Sequence, residues 1–386
     1  MLLNRRALLR ASGAGMLGAM TASRLAFAAA PTDNRFVFVF LRGGLDGLHA
    51  LVPWADADYR RLRPDLGLGR EAVVDLDGYF GMHAALSPLM PLFSAGEMLF
   101  IPAATTRYRD RSHFDGQNVL ENGSGRPFGR RDGWLNRAIA GLNGGDARLG
   151  LSLGPSVPLI LQGAAPVQAW SNEHIPDLDD DFLGRLDIVY RGDPLFSTAL
   201  REARGTMQPD MAMMAEERDT LAISAAAAAA MLGAADGPRI AVMEVQGWDT
   251  HTGQAGRLER LFTRLAHGLM TLREGLGPAW ERTLVMVASE FGRTAAENGS
   301  RGTDHGTGGL ALLAGGAVRG GRIAGDWPGL SRRALFEDRD LRAVNEYERI
   351  FKAILIDHLG LDPAFAEDVA FPDSRALTPM DGLLRG

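Results

Sequence analysis

Six acidic or histidine side chains stand beside the short hydrophobic runs that we predict to be buried strands. One aspartate at a strand end is usually a turn or helix-cap residue, but several such positions in one sequence indicate a shared site. Carboxylates and imidazoles together suit Zn²⁺, Mn²⁺ or Mg²⁺, and two such ions can hold the attacking and leaving oxygens of a phosphoryl or sulfuryl transfer. We therefore predict a site for one or two divalent ions with these ligands: Asp46, Asp249, His251, Glu290, Asp304 and His305.

Ser112 is the candidate nucleophile, and two interpretations of it stay open. It stands where a helix is predicted to begin, and Asp115 three residues later completes a pattern typical of a helix cap. A hydroxyl at a helix N-terminus also lies beside free backbone N–H groups, where an anionic substrate would bind, and metal coordination would activate it. Arg109 and Arg111 could hold phosphate or sulfate oxygens, or they could be solvated surface charges.

Hydrophobic runs that end in turns alternate with segments of helical periodicity. The predicted strands are 35–41, 98–101, 239–245, 283–288 and 310–313. The predicted helices are 86–95, 113–121, 133–142, 258–273 and 341–359. Such alternation favours an α/β fold with a mainly parallel central sheet and helices on both faces. Ligands bind outside the carboxyl ends of the strands in these sheets, so the candidate side chains are expected to meet there.

The middle of the chain departs from this alternation. Residues 150–175 contain two short apolar runs broken by glycine and proline, which we interpret as a small β excursion. Residues 179–232 have a helical pattern that includes an unbroken alanine run at 225–230. We therefore predict a helical insertion at about 165–235 that packs on the sheet.

The first 30 residues differ in kind from the rest. Arg5 and Arg6 precede a Gly/Ala/Met-rich apolar stretch at 11–20, and the small-residue segment 26–28 offers a cleavage site. This pattern predicts a twin-arginine signal peptide over 1–30, with an amphipathic helix as the alternative. We therefore predict a periplasmic or secreted protein with one domain over 31–386, which meets the twin-arginine translocon in transit and then has no transmembrane span.

Charge and cysteine content exclude several classes of function. Residues 1–30 contain four arginines and no acidic residue, so without them the formal net charge falls from −6 to −10. An acidic protein is a poor ligand for nucleic acid or for an anionic membrane. The chain has no cysteine, which excludes disulfides, thiolate catalysis and cysteine-ligated zinc.

Five segments in a fixed order resemble a branch of the alkaline phosphatase superfamily that is exported by the twin-arginine route and contains a domain of unknown function. The resemblance covers nearly all of the chain after residue 30. The segments are RGGLDGL at 42–48, RSHFD at 111–115, GWDTHTG at 247–253, SEFGRT at 289–294 and GTDHGTGG at 302–309.

The resemblance implies a two-metal site. It implies that Asp46 binds one ion, that Ser112 is the nucleophile between the ions, and that Asp249, His251 and His305 bind the second ion. The first ion normally has an Asp-His pair, but this chain has Glu290 followed by Phe291. Another histidine could supply the missing nitrogen (His49, His83 or His113), a single ion could bind, or hydrolysis could be lost.

Together these features predict an exported metal-dependent hydrolase of a phosphate ester or related anionic ester, acting on a small anionic or envelope-glycan substrate. The alternative is a non-catalytic envelope protein that keeps the fold for binding or assembly. A sulfatase that modifies a Cys/Ser-x-Pro-x-Arg motif is disfavoured because His113 and Phe114 follow Ser112. A phosphomutase is disfavoured by the predicted export.

Overall fold

The hydrophobic run at 35–41 forms the centre of the main sheet. This computed structural model describes residues 32–143, 149–171 and 219–385. Phe36, Phe38 and Phe40 point to one side of the strand, and Val37 and Val39 point to the other, each into a separate hydrophobic core. A strand that is buried on both faces needs a continuous apolar run, and this one has it.

The described residues form a nine-stranded main sheet and a three-stranded small one. In the main sheet the order is β11-β5-β10-β9-β1-β8-β6-β7, and β12 also pairs with β5. The small sheet has the order β2-β4-β3. The strands are β1 Arg35–Leu41, β2 Leu51–Val52, β3 Val73–Asp75, β4 Gly81–His83, β5 Met98–Thr105, β6 Gly150–Leu153, β7 Val167–Trp170, β8 Ile240–Val245, β9 Thr283–Ala288, β10 Gly309–Ala314, β11 Arg322–Ile323 and β12 Asn345–Glu346.

Helices cover both faces of the main sheet. The described α-helices are α1 Gly47–Ala50, α2 Tyr59–Leu62, α3 Met90–Ser94, α4 His113–Asn122, α5 Trp134–Asn143, α6 Thr220–Gly233, α7 Gln254–Leu276, α8 Tyr347–Ala353 and α9 Pro363–Phe365. Helices α5 and α8 pack against the phenylalanine side of β1, and α6 and α7 pack against its valine side. The described helices include none that is both long and apolar enough to span a bilayer.

One strand of the main sheet, β10, runs against the others in the described part of the chain. It pairs antiparallel with both β5 and β9, whereas β1, β8, β6 and β7 pair in parallel. The start of β10 therefore lies at the same edge as the ends of β1, β5, β8 and β9. This reversal explains how a residue before a strand can meet residues that follow other strands.

The α/β class and the mainly parallel sheet with helices on both faces are confirmed. The predicted strands 35–41 and 283–288 have the bounds of β1 and β9. The β structure predicted within 150–175 is present as β6 and β7, which extend the main sheet beyond β8. The last predicted helix begins too early, since Asn345–Glu346 is a strand and α8 starts only at Tyr347.

Two predictions fall wholly or largely outside the described residues. The signal peptide at 1–30 is one of them. Of the insertion at about 165–235, the structure describes the strand β7 and the helix α6, which packs on α7. The division of the chain into these units stays a prediction.

Arg42, directly after β1, ties the sheet to α4. Its guanidinium donates to Glu121, to Glu244 and to Gln117. The Arg42 guanidinium is thus the shared ion-pair partner of Glu121 and Glu244. Burial, which outweighs the charge of Arg42, raises the pKa of Glu121 to about 7, and the neighbouring charge of Glu244 adds to the rise.

This arrangement predicts a pH-dependent stability. A folded-state pKa of about 7 against an ordinary value of 4.5 means that the folded protein binds the extra proton between these pH values. The free energy of unfolding should therefore fall by roughly 3 kcal/mol as the pH rises through that window. Glu121→Gln should flatten this fall in urea denaturation, whereas exposed Asp381→Asn should leave it unchanged. An unaltered slope in Glu121→Gln would contradict the prediction.

Candidate metal centre

Four donor atoms from three loops converge at the carboxyl edge of the main sheet. His113 follows β5, Asp249 and His251 follow β8, and His305 precedes the reversed strand β10. The Nε2 atom of His305 lies 2.9 Å from Nε2 of His113, 2.9 Å from Nε2 of His251 and 3.3 Å from Oδ1 of Asp249. The same Asp249 oxygen lies 3.5 Å from Nε2 of His113 and 2.9 Å from Nε2 of His251.

The other nitrogen of each histidine faces a hydrogen-bond acceptor. Nδ1 of His113 lies 2.7 Å from Oε1 of Glu290, and Nδ1 of His251 lies 3.1 Å from Oδ1 of Asp304. Nδ1 of His305 lies 3.1 Å from the carbonyl oxygen of Arg111. An acceptor at Nδ1 fixes the proton there in the neutral ring and leaves the Nε2 lone pair free. All three Nε2 lone pairs are therefore directed into the cluster.

This donor set fits a divalent cation. Four ligands around tetrahedral Zn²⁺ at about 2.0–2.1 Å lie about 3.3 Å from one another. Five separations, which join every pair of donors except His113 and His251, run from 2.9 to 3.5 Å. The donors of His113, Asp249 and His305 all lie within 4.8 Å of one another. His251 contacts two of these three residues.

Charge in the cluster also favours a cation. Burial alone would lower the pKa of His113, but the hydrogen bond and charge of Glu290 and the charge of Asp249 outweigh burial and raise it. Burial, together with the positive charges of His113 and Arg293, lowers the pKa of His305. The negative charges of Glu290 and Asp249 beside His113 are the part of this setting that favours a cation.

Glu290 orients His113 and does not face the cluster directly. Its buried carboxylate accepts hydrogen bonds from Gly43 N at 2.9 Å, from Gln117 Nε2 at 3.0 Å and from Ser289 Oγ at 2.9 Å, besides the His113 contact. Gly43 has φ +124°, and a side chain there would collide with the backbone of Asp249. Glycine therefore allows the turn after β1 to reach both Glu290 and the Asp249 loop.

Asp304 likewise sits behind a histidine. Its carboxylate accepts from Nδ2 of Asn298 at 3.2 Å and contacts Nδ1 of His251. The hydrogen bond from Asn298, and then that of His251, lower the pKa of Asp304. Carboxylates behind metal-binding histidines commonly fix the ring orientation in this way.

Arg293 lies fully buried beside Asp249. Its Nη1 donates to Oδ1 of Asp249 at 2.8 Å, and its Nε donates to Thr303 Oγ1 at 3.3 Å. Its Nη2 has no hydrogen-bond partner among the described residues. Burial would raise the pKa of Asp249, but the hydrogen bond and charge of Arg293 outweigh it and lower that pKa.

Asp46 is engaged elsewhere. Its two oxygens accept from Arg63 Nη1 at 2.7 Å and Nη2 at 3.0 Å, and from Gln254 Nε2 at 2.5 Å and Leu48 N at 3.1 Å. Both side chains of the Arg63–Asp46 pair are buried, with exposures of 0% and 1%. Burial would raise the pKa of Asp46, but the charge and hydrogen bonds of Arg63 lower it. A guanidinium thus occupies the carboxylate that the resemblance assigns to an ion.

Ser112 is the N-cap of α4. Its hydroxyl accepts from Asp115 N at 3.4 Å, as the cap interpretation requires. Within the described chain its hydroxyl has no hydrogen bond to the four converging donors. It nevertheless directly precedes His113, and Arg111 before it has a left-handed backbone with φ 61°. Strained non-glycine residues of this kind cluster at functional sites.

The two predicted anion-binding arginines are occupied in this structure. Arg111 donates to Asp340 Oδ2 at 2.7 Å and also pairs with Glu337. Arg109 donates to the carbonyl oxygens of Thr106 and Tyr108. The arginine with an unpaired donor beside Asp249 is Arg293, which no pattern in the sequence marks.

His113 is the histidine that joins the cluster among the three alternatives left open by the sequence. His49 and His83 lie together near Phe262, with their ring centroids 5.2 Å apart. Burial lowers the pKa of His49 to about 4. Phe291 packs on the ring of His113 at 4.8 Å and on that of His305 at 5.4 Å. Position 291, where the resemblance leads us to expect a histidine, thus places an apolar ring against His113 and His305.

The fold and the cluster define an α/β protein with a candidate metal site of histidines and an aspartate at the carboxyl edge of its main sheet. The chain belongs to the family described as "Protein of unknown function (DUF1501)", whose model matches residues 103–364. All four converging residues lie inside that range, whereas Asp46 and Arg63 precede it. No curated protein matches the chain.

Solved structures with remote similarity include three proteins of named activity. The PsFucS1 sulfatase from Pseudoalteromonas sp. is 10% identical, with 95% of this chain and 76% of that chain covered and a TM-score of 0.38. The phosphonate monoester hydrolase of Agrobacterium radiobacter is 13% identical, with coverage of 85% and 74% and a TM-score of 0.33. The lipoteichoic acid synthase LtaP from Listeria monocytogenes is 9% identical, with coverage of 80% and 70% and a TM-score of 0.34. These scores are too low to assign an activity to this chain.

The buried Arg63–Asp46 pair generates a prediction that separates a structural role from a metal-binding role. Asp46→Ala leaves the Arg63 guanidinium buried without its partner, so the free energy of unfolding should fall by about 3–5 kcal/mol. The double variant Asp46→Leu/Arg63→Met removes both charges and should recover most of that loss. Urea denaturation measures both effects, and metal content should stay unchanged in the double variant. Loss of bound metal from a folded double variant would show that Asp46 is a ligand.

Proposed function

We propose that this chain is a metal-dependent hydrolase of a phosphate ester or a related anionic ester. The observation that carries the proposal is the set of three imidazoles whose Nδ1 atoms are held by acceptors and whose Nε2 atoms converge on Asp249. A divalent cation bound there would act as a Lewis acid that stabilises negative charge on the ester oxygens.

The donors favour one ion over two. His113, Asp249 and His305 hold it, with His251 as a further ligand. Glu290 and Asp304 orient His113 and His251, so we assign them to positioning. Both oxygens of buried Asp46, which the resemblance gives to another ion, accept from Arg63, whereas Arg293 contacts one oxygen of the more exposed Asp249.

Two polar groups of the chain could act on the bound anion. One is Arg293, whose buried Nη2 has no hydrogen-bond partner among the described residues and could donate to an ester oxygen. The Ser112 oxygen would form a bond to phosphorus while the bond from phosphorus to the alcohol oxygen breaks. The hydroxyl proton would pass to the departing alcohol oxygen through water. A second water would then attack phosphorus and give one proton to the serine oxygen as the bond from phosphorus to serine breaks, which releases phosphate.

The site of action we propose is outside the cytoplasm. The paired arginines and the small-residue segment within 1–30 support export by the twin-arginine route. Folding before export would allow the ion to bind first. The acidic mature chain suits a small anionic or envelope-glycan substrate only if the cation and Arg293 offset the overall negative charge.

Loss of a converging ligand should abolish both ion binding and turnover. We expect purified wild-type protein to bind one divalent ion and to hydrolyse an aryl phosphate, and Asp249→Ala and His305→Ala to lose the ion and about a thousandfold in turnover. Metal analysis and a chromogenic assay measure these effects. His267→Ala, which removes an exposed histidine bound to Asp219, is the matched control.

The same metal-loaded preparation tests the alternative, a non-catalytic binding protein. A bound ion stabilises the folded state by mass action, by about 2.7 kcal/mol at a hundredfold excess over Kd. A chelator should therefore lower the melting temperature by several degrees. Metal-loaded, folded protein that cleaves no phosphate, phosphonate or sulfate ester would reject hydrolysis and leave the binding role.

Three substitutions of Ser112 separate its cap role from nucleophilic attack. Asn is a good N-cap without a hydroxyl, Thr keeps both features, and Ala has neither. Ser112→Ala should lose about 1 kcal/mol of stability, whereas Ser112→Asn should keep stability. If Ser112 is the nucleophile, Asn and Ala should both lose about a thousandfold in turnover and Thr should retain more. Wild-type turnover in Ser112→Asn would leave Ser112 as a cap only.

A further inference from the structure

Two phenylalanines beside the candidate metal site are exposed to solvent. Phe114 is 74% exposed and Phe128 is 60% exposed, and among the described residues Ile223 is the only other large apolar side chain in this class. The two rings contact each other, with their centroids 5.9 Å apart. Single exposed apolar residues are common, but a contacting pair of aromatic rings next to a site indicates a binding surface.

The position of Phe114 in α4 places the phenylalanine pair near the candidate metal site. Phe114 directly follows His113 in α4, so the Cα atoms of these residues lie about 3.8 Å apart. His113 turns inward to His305 and Glu290, while Phe114 turns outward. Phe114 thus lies in the first turn of the helix that begins at the candidate ligand His113, and side chains in a helix tilt toward its N-terminus, where the cluster lies.

The loop that carries Phe128 is fixed to α4. The backbone N–H of Phe128 donates to Oδ1 of Asn118 at 2.6 Å, and Nδ2 of Asn122 donates to the carbonyl oxygen of Arg126 at 3.1 Å. Phe128 has a left-handed backbone with φ 55°, which a bulky residue rarely adopts. Hydrogen bonds thus hold an exposed aromatic side chain in a strained conformation, next to the functional cluster.

The charge around this loop suits an anion. Arg126, Arg130 and Arg131 flank Phe128 in sequence, and none of them forms an ion pair with any residue that the structure describes. Asp132, the nearest acid in sequence, is paired with Arg137. The surface around Phe128 therefore combines apolar rings with uncompensated positive charge.

We propose that Phe114 and Phe128 form a subsite for a ring in the alcohol half of the substrate. The inference rests on the proposed function, because the anionic group of the same molecule would occupy the metal centre. A planar or saturated six-membered ring can pack on the exposed aromatic faces, and burial of this apolar area favours binding. The substrate class is then an anionic ester of a ring-bearing alcohol, not of a short open-chain one.

Calorimetric titration of the metal-loaded full-length protein tests this subsite. The probes are phenylphosphonate, cyclohexylphosphonate and methylphosphonate, which share one anionic group and differ in the attached carbon. At least one ring ligand should bind about tenfold tighter than methylphosphonate, and the phenyl and cyclohexyl results distinguish an aromatic ring from a saturated one. Phe114→Ala and Phe128→Ala should lower the affinity of that ring ligand to nearly the methyl level and leave methylphosphonate unchanged.

Ile223→Ala is the matched control, because it removes an exposed apolar side chain from α6. Equal affinity of the wild-type protein for all three ligands would overturn the subsite while leaving the proposed function intact. An equal loss for all ligands in the phenylalanine variants would also overturn it. Failure of every phosphonate to bind would reject the proposed function, and the subsite with it.

Discussion

The buried carboxylate of Glu290 is the contact on which the edge of the sheet depends. It joins the end of β9 to the turn after β1 through Gly43 N and to α4 through Gln117 and His113. A buried carboxylate needs this many donors, since an unpaired one would be strongly destabilising. Its hydrogen bonds therefore fix the position of α4, and with it the direction in which His113 presents Nε2.

Strand direction sets the second constraint. His305 reaches the cluster because β10 runs opposite to β5 and β9, which brings the start of this strand to the edge where the other strands end. Asp249 reaches it because a glycine at position 43 lets two loops approach closely. Segments next to the strands of the sheet thus hold the donors of His113, Asp249 and His305 within 4.8 Å of one another, which is the preorganisation that a cation site needs.

Much of this arrangement could be predicted from the sequence, for identifiable reasons. The strand 35–41 is a continuous apolar run, and Asp249 follows a predicted strand, so its edge of the sheet followed from the alternation of elements. The inward role of His113 could not be predicted, because it depends on how the loop between β5 and α4 turns. The pairing of Asp46 with Arg63 joins residues 17 positions apart, and nothing in the hydrophobic pattern marks it. The orientation of β10 is likewise invisible to periodicity, since parallel and antiparallel buried strands have similar apolar runs.

The presence of Phe291, where the resemblance leads us to expect a histidine, has a structural explanation. Where the superfamily resemblance leads one to expect a histidine, this chain has an aromatic wall against His113 and His305, and a nitrogen comes from α4 instead. Arg63 meanwhile neutralises Asp46. Both features leave the candidate ion ligands of this edge around Asp249.

A crystal structure of the metal-loaded protein with anomalous scattering data tests the central claim most directly. The account predicts one anomalous peak at about 2.0–2.3 Å from Nε2 of His113, Nε2 of His305 and a carboxylate oxygen of Asp249. A peak bound to Asp46 in place of Arg63, or no peak among these three side chains at saturating metal, would contradict it.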